Sequence, residues 1–114
     1  LAYDRFMELC PGLLCEIDTY WAANFGACNS AEQVAKYKAR TPLLHIKDGP
    51  LVRDKAHVAV GSGKMDVASV IRAADEKVLR WLVVELDLCD TDMLSAVRGS
   101  YQYLVKNGLG AGNR

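Results

Sequence analysis

Pro42-Leu43-Leu44-His45-Ile46-Lys47-Asp48-Gly49-Pro50 is a short apolar run that meets an imidazole and closes on a Gly-Pro turn signal. Two other stretches have the same form. Leu13-Leu14-Cys15-Glu16-Ile17 ends in Asp18, and Trp81-Leu82-Val83-Val84 ends in Glu85. Strands are expected over about 13–18, 43–46 and 82–86, each followed by a helical pattern. Repeated strand-then-helix order favours a parallel sheet, because parallel neighbours need a crossover. The C-terminal strand ends then share one edge, so Asp18, His45 and Glu85 are expected to converge where α/β folds place ligands.

The helical segments work outward from these runs. Tyr3, Phe6, Met7 and Cys10 recur at helical spacing until Pro11-Gly12 stops them. The chain opens on Leu1 and inside a helix, so it is expected to lack an N-terminal portion of its parent protein. Thr19-Tyr20-Trp21 is expected to lead into a loop holding Gly26 and Asn29. Ser30-Ala31-Glu32-Gln33 has the capping-box pattern, with Val34 and Ala35 inward and Lys36, Lys38 and Arg40 as a solvated face. The stretch 48–65 is long for a connection, and His57-Val58-Ala59-Val60 in it reads as a short extended piece. Asp66 can cap a helix whose buried face is Val67, Val70, Ile71 and Ala74. Asp90, Thr91 or Asp92 can cap the last helix, with Leu94, Val97, Tyr101 and Leu104 inward and Gly108 as the stop. The tail 110–113 is expected to be loose.

With 114 residues, half of them apolar, the chain has room for one domain and its core. Lys plus Arg equal Asp plus Glu, 14 against 14, so charge makes no case for nucleic acid or an acidic membrane. No apolar stretch is long enough to span a bilayer, and no secretory pattern opens the chain. Cys10, Cys15, Cys28 and Cys89 form no C-x-x-C pair, which favours reduced thiols and a cytoplasmic location; Cys15 reads as core filler.

One imidazole and two carboxylates make a hard-to-borderline donor set. It suits Mn²⁺ first, and also Mg²⁺, Co²⁺ or Zn²⁺. Such a site polarises carbonyl and hydroxyl oxygens, and a carboxylate beside it can move a proton on carbon. Each residue also has a plainer role. Asp18 can cap the loop after its strand, and His45 can be a buried neutral imidazole bonded to backbone. Glu85 lies in an apolar run and needs a positive partner, a metal or a Lys or Arg. His45 and Lys47 share one strand face. Lys47 either steadies negative charge on a substrate oxygen or pairs with Asp18 or Glu85. Asp48 reads as a turn residue or as outer support for the site. Gly61-Ser62-Gly63-Lys64 fails as a P-loop: Val58 stands where the first glycine belongs, and Met65 replaces Ser or Thr.

Asp18-Thr19-Tyr20-Trp21, His45-Ile46-Lys47-Asp48, Gly61-Ser62-Gly63 with Asp66, and Val83-Val84-Glu85-Leu86-Asp87 occur in one order. Over nearly its whole length the chain resembles the C-terminal portion of the sugar phosphate isomerase/epimerase family, the xylose isomerase-like TIM barrels. The resemblance implies that residues 1–114 are about the last three β-α units of a (β/α)₈ barrel, a partial barrel. It implies that Asp18, His45 and Glu85 are three of four metal ligands, the fourth being a Glu outside this chain. Glu85 would also be one member of the acid/base pair. Trp21, Lys47 and Arg53 are the expected substrate contacts. Trp21 stands where epimerases often carry a substrate-binding His, and Ser62 replaces a common Glu. No Arg follows close behind His45, a place that Lys47 or Arg53 can take.

The expected activity is a divalent-metal-dependent sugar or sugar phosphate isomerase or epimerase. Glu85 and Lys47 carry the chemistry, and the chain alone is inactive or very poor. A same-fold dehydratase of the inosose type is the neighbouring reading. The reading from another class is a metal-free sugar-binding or structural fragment. The expected partners are a small sugar and either the missing barrel segment or a second copy, as in a dimer.

Overall fold

The structure is a computed structural model and describes residues 2–24 and 28–112. In chain order the elements are α1 (Ala2–Leu9), β1 (Glu16–Asp18), α2 (Thr19–Asn24), α3 (Ser30–Tyr37), a 3₁₀ turn (Lys38–Arg40), β2 (Leu43–Ile46), α4 (Val67–Arg72), β3 (Trp81–Val84) and α5 (Met93–Lys106). The strands form one parallel sheet in the order β1-β2-β3. Among the described residues no helix is long and apolar enough to cross a membrane. Gly26 and Asn113, placed by the sequence in a loop and a loose tail, lie outside the described residues.

The partial TIM barrel expected from the sequence is not the fold. The sheet is open: β1 and β3 are its outer strands, and each named strand pairing runs through β2. The one-strand, one-helix alternation also breaks. Two helices and a 3₁₀ turn separate β1 from β2, and a long irregular segment precedes α4. The result is a small α/β domain around a three-stranded sheet. Strand alternation and parallel pairing are local properties, shared by barrels and open sheets alike.

Period-two alternation gives the sheet one apolar face and one mixed face that carries its charged residues. Ile17, Leu44 and Ile46 are buried with Leu82 and Val84 packed against them, under Val34, Tyr37, Val67, Val70 and Ile71 from α3 and α4. Each such fully buried aliphatic side chain contributes about 1.5–3 kcal/mol. Glu16, Asp18, His45 and Lys47 alternate with that set and fall on the opposite face. Parallel sheets usually bury both faces, so the charged residues beside Leu43, Trp81 and Val83 on this second face are the informative departure.

Several local expectations shift by a residue or a turn. β1 is shorter than 13–18, and Leu14 before it is exposed. Thr19-Tyr20-Trp21 begins a helix rather than a loop. Asn29 caps α3, accepting from the Ala31 and Glu32 amides. Ser30, the expected cap, instead donates to the Thr19 carbonyl at 2.5 Å. The inner face of α3 is Ser30, Gln33, Val34 and Tyr37, with Ala35 exposed. Lys36 and Arg40 are not merely a solvated face: Lys36 pairs with Asp4 at 2.9 Å, and Arg40 donates to the carbonyls of Met7, Cys10 and Pro11. Arg40 thereby satisfies carbonyls at the end of α1.

Helix α4 keeps its expected cap and most of its face, with Asp66 accepting from the Ser69 amide and Val67, Val70 and Ile71 buried, while Ala74 lies beyond the helix end and is partly buried. Asp92 supplies the cap of α5. That helix keeps Leu104 inward as expected but buries Ala96 and Ser100 with it, while Leu94, Val97 and Tyr101 are exposed. Ser100 decides this, because its Oγ accepts from the Val60 amide at 2.9 Å and donates to the Ala96 carbonyl. Small residues let the 57–60 segment lie close against the helix.

Asp48 organises the long connection. Its carboxylate accepts from the backbone amides of Gly49, Gly61, Gly63 and Met65, at 2.8–3.0 Å. The glycine turn is therefore an anion cradle already filled by the protein's own carboxylate. Gly61 has φ +88°, and a Cβ on Gly63 would meet the Asp48 carboxylate, so side chains are disfavoured at both positions.

Candidate metal centre

Register sets the first level of the site. Asp18 on β1 faces His45 on β2 across the parallel pairing, and His45 in turn faces Val83 on β3. Glu85 lies two residues beyond Val83 and one past the end of β3, where its amide still donates to the Ile46 carbonyl at 3.3 Å. Pleating therefore sends Asp18, His45, Lys47, Glu85 and Asp87 to the same face. Thr19 fixes the β1 end by donating its hydroxyl to the His45 carbonyl at 2.8 Å.

The three residues expected to hold a metal do meet. One donor atom from each of Asp18, His45 and Glu85 lies within 4.8 Å of the others, and all three are half-buried. His45 Nδ1 is 3.1 Å from Glu85 Oε2 and 3.6 Å from Asp18 Oδ2. Its Nε2 is 3.0 Å from Glu16 Oε1. In neutral imidazole a proton on Nε2, donated to Glu16, leaves the Nδ1 lone pair facing the carboxylates. That is how carboxylates orient metal-binding histidines. Glu16 was not singled out from the sequence; its position two residues before Asp18 on one strand face is the signal that would have found it.

Lys47 lies at the centre of the site. Buried to 2 % exposure, its Nζ is 2.8 Å from Asp18 Oδ2, 2.8 Å from Glu85 Oε2 and 2.9 Å from Asp87 Oδ2. Burial works to lower its pKa, but hydrogen bonds to Asp18, Asp87 and Glu85 outweigh burial and hold it above the usual lysine value. Lys47 is thus a fixed ammonium at neutral pH, suited to steadying negative charge and not to abstracting protons. Three carboxylates share this one positive charge, so three minus one leaves two negative charges, which the two positive charges of a divalent cation would balance. The donor types and their spacing fit such a cation.

Asp87 and His57 complete the surroundings, and neither was assigned a role from the sequence. Asp87 accepts from Lys47 and from the Trp21 indole N–H at 3.0 Å, and its backbone amide donates to His57 Nδ1 at 3.1 Å. Trp21 packs against His57, with ring centroids 5.2 Å apart, and Lys47 Nζ lies 5.7 Å from the indole ring. Arg53 stays at the surface, on the wall of an adjoining cavity that Trp21 also lines.

Within the site, three shifts act on the pH dependence of stability. Burial, more than its charged neighbours, holds the His57 pKa below its ordinary value. The unfolded chain therefore takes up a proton that the fold refuses, and stability declines as pH falls below about 6.5. The Lys47 hydrogen bond, ahead of burial, holds Asp87 below the carboxylate range. Its contribution is full above about pH 4 and is lost as pH falls through its folded value. The raised Lys47 contributes fully below about pH 10.4. Thermal unfolding should give a plateau from about pH 7 to 8.5 with an acid decline below it, and the Cys28 thiol, pushed up by burial, adds a loss of stability above that range. A midpoint that instead rises on acidification from pH 7 would contradict these assignments.

No protein-family model, no curated protein and no solved structure matches the chain.

Proposed function

We propose that Asp18, His45 and Glu85 hold a divalent cation, Mn²⁺ first, and that the centre moves a proton beside a carbonyl of a sugar or sugar-like polyol. Isomerisation or epimerisation is the reaction class. The observation that carries the reading is the meeting of two carboxylate oxygens and an imidazole nitrogen within 4.8 Å of one another. The resemblance of the sequence to sugar phosphate isomerases and epimerases supplies the substrate class. When bound, the cation polarises the carbonyl and hydroxyl oxygens it touches. Glu85, a half-buried carboxylate paired with Lys47, carries the proton on carbon in this reading. Lys47 offers its ammonium to the negative charge that develops on the neighbouring oxygen. Glu16 holds the His45 ring in orientation. Trp21 and Arg53, which line one adjoining cavity, are the substrate contacts in this reading. A dehydratase begins with the same proton abstraction, and product analysis with ketoses and inososes separates the two.

The test is Mn²⁺ binding followed by titration calorimetry and by the loss of the free-ion electron paramagnetic resonance signal. Glu85→Gln and His45→Ala are expected to weaken binding more than about 100-fold, since outer-shell partners alone cost 10–100-fold. Unchanged Mn²⁺ binding in both variants would remove the proposal.

A second reading has its own observation. Lys47 already contacts the same Asp18 and Glu85 oxygens that a cation would use. The cluster then serves as a structural ion network, and the domain is a non-catalytic sugar-binding or structural module.

A further inference from the structure

The sheet is unfinished at both edges, since β1 and β3 each have one neighbouring strand. Trp81 and Glu85 donate their amides toward β2, to the carbonyls of Pro42 and Ile46, so period two turns the backbone of Leu82 and Val84 outward. At the other edge Cys15 donates to the Arg40 carbonyl on the β2 side, which turns the backbone of Glu16 and Asp18 outward. The apolar face thins toward β3: Leu44 and Ile46 on β2 are fully buried, while Leu82 and Val84 are only half-buried. Bare strand edges are templates for pairing with another chain.

A mostly apolar groove lies along each edge. The groove between β3 and α5 has a volume of about 610 Å³, with Leu82, Val84, Val97, Tyr101 and Val105 in its wall. Among the described residues Arg80 is its one charged lining residue, exposed and in no ion pair. Helix α5 adds Arg98 and Lys106 and carries no acidic residue. The groove beside β1 is about 460 Å³, with Tyr3, Ile17 and Ala22 in its wall, and its charged lining residues are the carboxylates Glu16 and Asp18. One edge is thus apolar and cationic, the other apolar and anionic. Large apolar side chains stand exposed at both, Tyr3 at the first strand and Trp81, Val97 and Tyr101 at the last.

We propose that the β3 edge of one copy docks on the β1 edge of a second copy, head to tail, so that the parallel sheet continues across the contact. Charge and strand register select this partner. Setting Ile17 of the next copy opposite Leu82 brings the outward backbone groups of the two edges together and keeps apolar face beside apolar face. Glu16 of the next copy then lies opposite Trp81 and next to Arg80, while its Asp18 lies opposite Val83, one same-face position short of Glu85. The anionic groove meets the cationic one along this seam. The proposal is independent of the metal reading. The contact joins two different surfaces, so every pair keeps one free edge of each kind, and assembly grows with concentration unless the rotation closes a ring.

The test is sedimentation velocity of the full chain with a chelator present, from about 1 to 300 µM. Concentration-dependent association is expected. Arg80→Glu and Glu16→Arg, both at exposed positions, are each expected to weaken it at least about tenfold, because like charges then face each other. Their equimolar mixture is expected to associate again, since every contact between the two variants joins opposite charges. Tyr101→Asp, in the wall of the β3 groove, is expected to weaken association as well. Val52→Asp, at an exposed apolar residue that lines neither groove, serves as the control and leaves it unchanged. Circular dichroism matching the parent shows that each variant folds. A monomer across the whole range overturns the proposal. So does association that survives Arg80→Glu and Tyr101→Asp, or a loss in Arg80→Glu that Glu16→Arg does not share and mixing does not restore.

Discussion

Asp48→Ala is expected to lower the unfolding free energy by about 3–5 kcal/mol. Asp48 is 1 % exposed and accepts from the amides of Gly49, Gly61, Gly63 and Met65. Alanine leaves those four donors facing a space without an acceptor, and each buried amide left unmade costs about 1–3 kcal/mol before relaxation. The glycine turn and the 48-to-58 bridge share this anchor, since the Val58 amide donates to the Asp48 carbonyl at 3.0 Å. Asp48→Asn should fall between, because an amide keeps one acceptor oxygen but points its NH₂ at backbone donors. Urea unfolding measures both. A loss under about 1 kcal/mol for the alanine variant would mean that solvent replaces the carboxylate freely and that the cradle is not what orders the connection.

Lys47→Met separates the two readings of the cluster. Methionine keeps the length of the side chain and removes its charge. Asp18, Glu85 and Asp87 then face one another without the ammonium that each now contacts. Breaking a buried ion pair costs about 3–5 kcal/mol. These carboxylates are 25–39 % exposed, so the low end, about 3 kcal/mol, is expected in a chelator. If the centre is a divalent site, Mn²⁺ binds the variant more tightly than the parent, because the competing ammonium is gone. Saturation at a hundred times Kd then restores about 2.7 kcal/mol. A structural ion network predicts the same loss with no recovery. Melting curves with chelator and with Mn²⁺ distinguish the outcomes directly.

The strand-forming runs were legible because a parallel strand's alternation is written in consecutive residues. β2 forms over Leu43–Ile46 as read, and the convergence of Asp18, His45 and Glu85 follows from parallel order alone. Local capping chemistry also marked the starts of α4 and α5. The inner face of α5 was not legible. Leu94, Val97 and Tyr101 have the periodicity of a buried stripe, yet Ser100 wins the inward place through a hydrogen bond to Val60 from 40 residues away. Lys47 illustrates the same limit: the sequence left it between a substrate contact and a salt bridge, and its three ion pairs depend on where β3 ends.

Sequence by itself determined which residues alternate, where chain direction reverses through a helix, and which chemical groups end each strand. Those are short-range properties, set by backbone sterics and by the two-residue and 3.6-residue periods. Tertiary structure alone decided that the sheet stays open, that Asp48 fills the glycine cradle, and that Glu16, Asp87 and His57 join the site. Each depends on groups far apart in the chain meeting in low dielectric, where an unpaired charge or amide is costly enough to select the arrangement that pairs it.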